Sequence, residues 1–269
     1  MIERVHIMGI VNLTPDSFYS GSRVPEVQNA IPRIHQMLEE GADVVDLGAC
    51  STRPGAPRPS MEEEWGRLEP TLKALAHEGV PALSVDTYRA EIVRRTYDVI
   101  GPYIVNDIGG GELDPDMLRT VGQLGLPYVA MCPACATTED ILAWFRDFSG
   151  KADDNGIREW ILDPGFGFGK TLEQNYEVLA RLDEIVEAFP QEVLVGVSRK
   201  SMIYKALGIT PEEAMPATEV IQFAALEKGA TWLRSHDVAA AVQTAKLHAL
   251  YTKKRLYSKV ICDDRGPLT

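Results

Sequence analysis

Cysteine is scarce in this chain: four in 269 residues, at Cys50, Cys132, Cys135 and Cys262. That is too few for a scaffold held by disulfides at this size. No apolar run approaches the roughly 18–20 residues a membrane helix needs. The opening MIERVHIMGIVN is too short and too charged for a secretory signal. Positive charge is in deficit, with 27 Lys and Arg against 39 Asp and Glu and a formal net charge of −12. Such a chain has no global attraction for nucleic acid or an anionic membrane. A small anion can still be held by a local cluster of Arg and Lys. These absences together lead us to expect a cytoplasmic protein with no nucleic-acid or membrane partner.

What the chain has is alternation. Hydrophobic residues make up 45% of it, enough for a sizeable core. Short apolar runs rich in Val, Ile and Leu recur as VHIMGIVN (5–12), DVVDLGA (43–49), ALSVD (82–86), YIVNDI (103–108), YVAMC (128–132), WILDPG (160–165), VLVGVS (193–198) and WLRSHD (232–237). Most lack polar alternation, as strands covered on both faces do. Helical spacing fills the segments between them. In VQNAIPRIHQMLEEG, Ala30, Ile34, Met37 and Leu38 share a face and Gly41 is the expected stop. Eight strands alternating with helices predict an α/β fold, a single (β/α)8 barrel over residues 1–269, with a polar tail from about 259. A doubly wound dinucleotide-binding sheet would carry G-x-G-x-x-G after its first strand; here Asn-Leu-Thr-Pro follows.

Polar residues gather at the C-terminal ends of these runs: Asn12, Asp46, Asp86, Asn106, Asp107, Asp163, Ser198, Arg234 and His236. Any one of them reads as a turn or cap former. Nine in succession on one face of a barrel read as a site built from the βα loops. Asp86, Asn106 and Asp163 offer acceptors, and Asn106 also donors, which suit a flat heterocycle with N–H and C=O edges. Arg53, Lys200, Arg234 and His236 supply positive charge for phosphate oxygens.

Several motifs admit blander readings. CPAC (132–135) has the spacing of a redox dithiol or half a zinc site, and two free thiols in a loop are expected. GFGFGKT (165–171) ends like a nucleotide P-loop, but Pro164 stands where that motif needs its first Gly. MEEEW (61–65) reads as a solvated helix start favoured by the helix dipole. In TPDSF (14–18), Thr14 can cap a short helical turn.

Seven segments in order resemble one family: GIVNLTPDSF, DLGACSTRPGA, SVDTYR, VNDIGGG, DPGFGFGKTLEQN, GVSRKSMI and RSHDV. They are similar to the dihydropteroate synthases of folate biosynthesis, the sulfonamide targets, over roughly residues 5–250. The resemblance implies a (β/α)8 barrel, commonly a homodimer. Its reaction condenses 6-hydroxymethyl-7,8-dihydropterin pyrophosphate with p-aminobenzoate, through a pterin cation, to 7,8-dihydropteroate and pyrophosphate. Asp86, Asn106, Met131, Asp163, Phe168 and Lys200 are implied at the pterin. Asn12, Thr52, Arg53, Arg234 and His236 are implied at the pyrophosphate, with Asn12 also serving Mg2+. Phe18, Pro54 and Ser201, beside Phe168 and Lys200, are implied at the aminobenzoate. Asp16, Lys200, Arg234 and His236 form the implied catalytic set.

The sequence departs from the family pattern in places. Ser20 stands where the family usually has Asp, and Met131-Cys132-Pro133 where it commonly reads Met-His-Met. Ala49-Cys50 precedes Ser51, Arg89 replaces a usual Lys and Ser235 a usual Val. Ser20 and Cys132 support one alternative to the synthase, a pterin-binding paralogue with lost or altered activity; the other is a pterin-dependent methyltransferase domain, which shares the barrel and the pterin floor.

Overall fold

The computed structural model describes residues 4–13, 26–50, 58–79, 82–133 and 135–263; for 26–28 and 254–263 it describes the backbone alone. Among the described residues eight strands alternate with ten helices. They are β1 (His6–Asn12), α1 (Glu26–Glu40), β2 (Val44–Gly48), α2 (Met61–Glu78), β3 (Leu83–Asp86), α3 (Ala90–Ile100), β4 (Ile104–Asp107), α4 (Met117–Leu124) and β5 (Tyr128–Met131). The chain continues through α5 (Thr138–Asp154), β6 (Trp160–Asp163), α6 (Leu172–Ala180), α7 (Leu182–Ala188), β7 (Leu194–Val195), α8 (Ser201–Leu207), α9 (Met215–Glu227), β8 (Trp232–Ser235) and α10 (Val238–Asp263).

All strand pairings are parallel, in the order β6-β5-β4-β3-β2-β1-β8-β7. The remaining seam is bridged by Leu162 and Val193, with Leu162 N donating to Glu192 O at 2.9 Å. The expected barrel is therefore the observed one. Two elements differ from expectation. The helical spacing that fills the segment between the sixth and seventh strand runs breaks at Arg181 into α6 and α7. Helix α10 continues to Asp263, so its backbone takes in the first part of the expected tail.

Period-2 geometry explains the two layers of the barrel. On β1 and β2, Ile7, Val11, Val45 and Leu47 face outward and pack with Ile34, Met37, Leu68, Leu72 and Leu75 of α1 and α2. The alternate residues face the barrel axis. Met8, Val44, Val129, Ile161, Leu194 and Trp232 form a separate apolar plug there. One inward step further toward the C-terminal ends, that plug gives way to Asp46, Asp86, Asn106, Met131, Asp163 and Arg234. The sequence therefore builds a dry base beneath a polar floor. Met37 and Trp232 are buried and Trp65 packs against the core. No described helix is long and apolar enough to cross a membrane.

Candidate active site

Strand register sets the floor. Asn12 pairs with Gly48, Gly48 with Asp86, and Asp86 with Asn106, so four successive strands end in one row. Gly48 leaves the gap in that row. A Cβ there would lie 3.4 Å from Asn12 Oδ1 and 3.9 Å from Asp86 Oδ2. On the far side Met131 pairs with Asp163.

Arg234 joins the row to the layer beneath. Its Nε donates to Asp46 Oδ2 at 2.8 Å and its Nη2 to Asp86 Oδ2 at 3.3 Å. Asn106 Nδ2 donates to the same Asp46 oxygen at 3.0 Å. Asp46 thus orients both the Arg234 guanidinium and the Asn106 amide. It was legible only as one polar strand residue among nine; its role depends on register. Burial pushes the Asp86 carboxyl up, with Arg234 opposing and Asp46 adding to the shift.

Lys200 and Asp163 form the other half. Lys200 Nζ donates to Phe166 O and lies 4.7 Å from the centre of the Phe168 ring. Burial lowers its pKa to about 8, with Asp163 opposing. Asp163 is raised by burial, against Lys200 and the amide of Gly165, which donates to Oδ1 at 2.8 Å. Lys170 Nζ, which sequence reading passed over, donates to the carbonyls of Pro164 and Gly165, both at 2.9 Å. The halves meet over Gly196, where a Cβ would lie 3.9 Å from both Lys200 Nζ and Arg234 Cβ. Ser201 follows Lys200 as the first residue of α8.

His236 enters just beyond β8. Its amide donates to Ser198 Oγ at 3.2 Å and its carbonyl accepts from Arg33 Nη2 at 2.9 Å. Burial, then Arg234, push the imidazole down to about 4. This corrects one expectation: without an anion the ring is neutral and adds no positive charge.

Three further expectations change. Asp107 turns outward and accepts from the amides of Gly109 and Gly111 and from Tyr128 Oη, so it is structural. Glu64 is not on a solvated face: it is fully buried, accepts from Thr87 Oγ1 at 2.7 Å and pairs with Arg89. Cys132 and Cys135 are not free thiols but a disulfide. Cys50 is free and buried, its thiol pushed up to about 12 chiefly by burial. The glycine-rich turn after β6 has positive φ at Gly165, Gly167 and Gly169, and Gly167 packs against the Lys200 stem. Among the described residues no group of three His, Cys, Asp or Glu is placed to hold a metal. Asp16, Phe18, Ser20, Thr52, Arg53 and Pro54 lie outside the described residues.

A barrel whose strand ends carry buried acceptors for a flat ring beside an arginine and a lysine defines a binding site for an anionic heterocycle. Residues 8–236 match the family described as pterin binding enzyme. The dihydropteroate synthase of Clostridium beijerinckii is 36% identical, covering 94% of this chain and 96% of that protein. Among solved structures, dihydropteroate synthase from Clostridium difficile in the presence of pteroic acid superposes with a TM-score of 0.87 at 34% identity, covering 93% of this chain and 98% of that one. The Xanthomonas albilineans dihydropteroate synthase with 4-aminobenzoic acid gives 0.87 and 34%, covering 93% and 94%. The chain belongs to the pterin-binding enzymes, and within them to the dihydropteroate synthase family.

Proposed function

We propose that this chain condenses 6-hydroxymethyl-7,8-dihydropterin pyrophosphate with p-aminobenzoate, releasing pyrophosphate and 7,8-dihydropteroate. The observation that carries the reading is the single polar layer in which Asp86, Asn106, Asp163, Lys200 and Arg234 converge above a dry apolar base.

The pterin lies on that layer, its N–H edge toward Asp163 and Asp86 and its acceptors toward Asn106 and Lys200, between Met131 and Phe168. The C–O bond to pyrophosphate breaks as charge grows on the leaving group. Arg234 and His236, with Thr52 and Arg53 further along the sequence from β2, hold that charge in a site with little water. The cation left on the pterin faces the buried Asp163 carboxylate. The neutral aniline nitrogen attacks it and loses a proton, helped by Asp16. Phe18, Pro54 and Ser201 flank the aminobenzoate, with Ser201 beside the Lys200 ammonium.

One amide oxygen at Asn12, open toward Asp86 across Gly48, suits Mg2+, which needs few protein ligands when a phosphate substrate supplies others. When bound, the ion neutralises charge on the pyrophosphate. A homodimer is supported by the exposed apolar residues Val220, Leu247, Leu250 and Tyr251 on the packed pair α9 and α10. The acidic composition fits a cytoplasmic location.

Purified protein given both substrates and Mg2+ is expected to release pyrophosphate and form dihydropteroate, and to stop on chelation. Asp163→Asn and Arg234→Ala are each expected to cost about 100-fold or more in kcat/KM. Binding of the pterin without turnover would favour the inactive paralogue. Methyl transfer from a methylated folate to a corrinoid would overturn the synthase.

A further inference from the structure

The Cys132–Cys135 pair plays no part in the condensation. Cys132 follows Met131 directly at the end of β5, and Cys135 lies two residues before Thr137, the N-cap of α5. The disulfide joins Cα atoms 6.0 Å apart. It is tied to the pterin floor by two routes. Cys132 N donates to Asp163 O at 3.1 Å. Cys132 O lies 2.7 Å from where a Cβ on Gly165 would sit, and Gly165 N donates to Asp163 Oδ1 at 2.8 Å. The pair is therefore bonded to the backbone of Asp163 and packs on the glycine whose amide holds its carboxylate.

A ring this short removes little entropy from the unfolded chain compared with a long one. Its constraint falls on the local geometry instead. Disulfides of cytoplasmic proteins are mostly catalytic or redox-sensing rather than permanent. Cys132 is fully buried and Cys135 is 7% exposed, so exchange enters at Cys135.

We propose that Cys132–Cys135 is a reversible thiol–disulfide modification site, closed by oxidation and opened by a dithiol reductant, that sets how firmly the pterin floor is held. The proposal rests on the pterin-site reading above. In the opening step a reductant thiolate attacks Cys135 Sγ. The S–S bond breaks and Cys132 leaves as a thiolate, which takes a proton. The second reductant thiol then attacks the mixed disulfide, releases Cys135 as a thiol and closes the reductant into its own cyclic disulfide. Two electrons pass to the protein and two protons end on the cysteines.

The full chain is compared in its oxidised form and after dithiothreitol is added and removed without air. Differential alkylation and peptide mapping read the pair. Calorimetric titration with dihydropterin pyrophosphate reads the floor. Hydrogen exchange over residues 128–140 reads the loop whether or not pterin binds. The oxidised form is expected to carry the disulfide. Reduction is expected to weaken pterin binding about five-fold, the order of one hydrogen bond, and to raise exchange. Cys135→Ser should behave as the reduced form whatever the treatment. Free thiols at both positions after oxidation, or equal affinity in both forms, would overturn the proposal. If neither form binds pterin, the synthase reading fails, and the exchange contrast alone then decides the pair: a rise on reduction supports it and no change overturns it.

Discussion

Arg199 and Asp237 are joined by two hydrogen bonds, Nε to Oδ2 at 2.8 Å and Nη2 to Oδ1 at 2.9 Å. Each is the immediate neighbour of a site residue, Lys200 or His236. Arg199 Nη1 also donates to the carbonyls of Pro211 and Glu212. Its φ of 53° is the one positive value at a non-glycine residue among those described. A side chain held in that region persists because its surroundings over-determine it. The pair thus fixes the loop after β7 against the loop after β8, and with them the lysine and histidine above the floor.

Arg199→Ala is expected to lower stability by about 1–2 kcal/mol, the worth of a partly exposed charged hydrogen-bond pair. It should also lower kcat/KM about ten-fold by releasing Lys200 and His236, a loss equivalent to about 1.4 kcal/mol. Arg199→Lys should recover little, because an ammonium cannot make the fork. Thermal unfolding and steady-state kinetics check this. A lower midpoint with unchanged kcat/KM would mean that the pair only stabilises.

Arg89 fastens the other side of the mouth. It pairs with the buried Glu64 of α2, donates to Pro59 O at 2.6 Å and stacks over the Tyr88 ring at 4.8 Å. Arg89→Met leaves a buried carboxylate without its charged partner, held by the Thr87 hydroxyl and the Cys50 thiol. The expected cost is about 3 kcal/mol, because one partner of a buried pair is removed. Adding Glu64→Gln should return most of it. Urea unfolding of the two single variants and the double measures the coupling, and additive losses would show that the pair is not coupled.

Much of this fold was legible because β-branched runs and helical spacing alternate without interruption. All eight strand candidates contain an observed strand. The weakest match is VLVGVS, of which only Leu194–Val195 is regular strand, since Gly196 and the turn into Arg199 follow at once. The break at Arg181 was hidden because the apolar spacing of α6 runs on into α7. Polar strand ends pointed to the site, but not to which residues face inward. Asp107 and Asp163 look alike in sequence, and only the parity of their strands sends one to Tyr128 and the other to the floor. Glu64 read as solvated because its partner Arg89 arrives from another βα unit. The cysteine pair needed the turn between β5 and α5 to be seen before its spacing meant a bond.

Acid sensitivity follows from His236. Its folded pKa of about 4 lies below the unfolded value of about 6.5. Between these values the unfolded chain binds a proton that the folded chain does not. The stabilising contribution is therefore complete above about pH 6.5 and is lost as pH falls toward 4, reaching about 1–2 kcal/mol at pH 5. Asp86 and Asp163, raised by burial, act in the opposite sense. The difference between wild type and His236→Gln isolates the histidine, and the variant should show the shallower fall in stability between pH 7 and 5. Pyrophosphate offsets the repulsion from Arg234 and should raise the imidazole, so its binding should take up a proton and tighten from pH 8 to 6. Calorimetry in buffers of different ionisation enthalpy measures that uptake; none would mean that the imidazole stays neutral beside the anion.

Two glycines in the turn after β6 separate backbone strain from an effect on the site. Gly167 has φ +81° and a Cβ there would lie 3.0 Å from Lys200 Cδ; Gly169 has φ +64° and opens onto space. Alanine at either position carries the cost of a left-handed backbone, about 1–2 kcal/mol. Only Gly167→Ala also presses on the lysine stem, whose ammonium sits between Phe166 O and the Phe168 ring. The two variants should therefore unfold at similar temperatures. Gly167→Ala should lose about ten-fold more in kcat/KM for dihydropterin pyrophosphate, roughly the 1.4 kcal/mol of one misplaced contact. Equal kinetic losses would show that Lys200 tolerates the displacement and that the turn, not the lysine, limits the reaction.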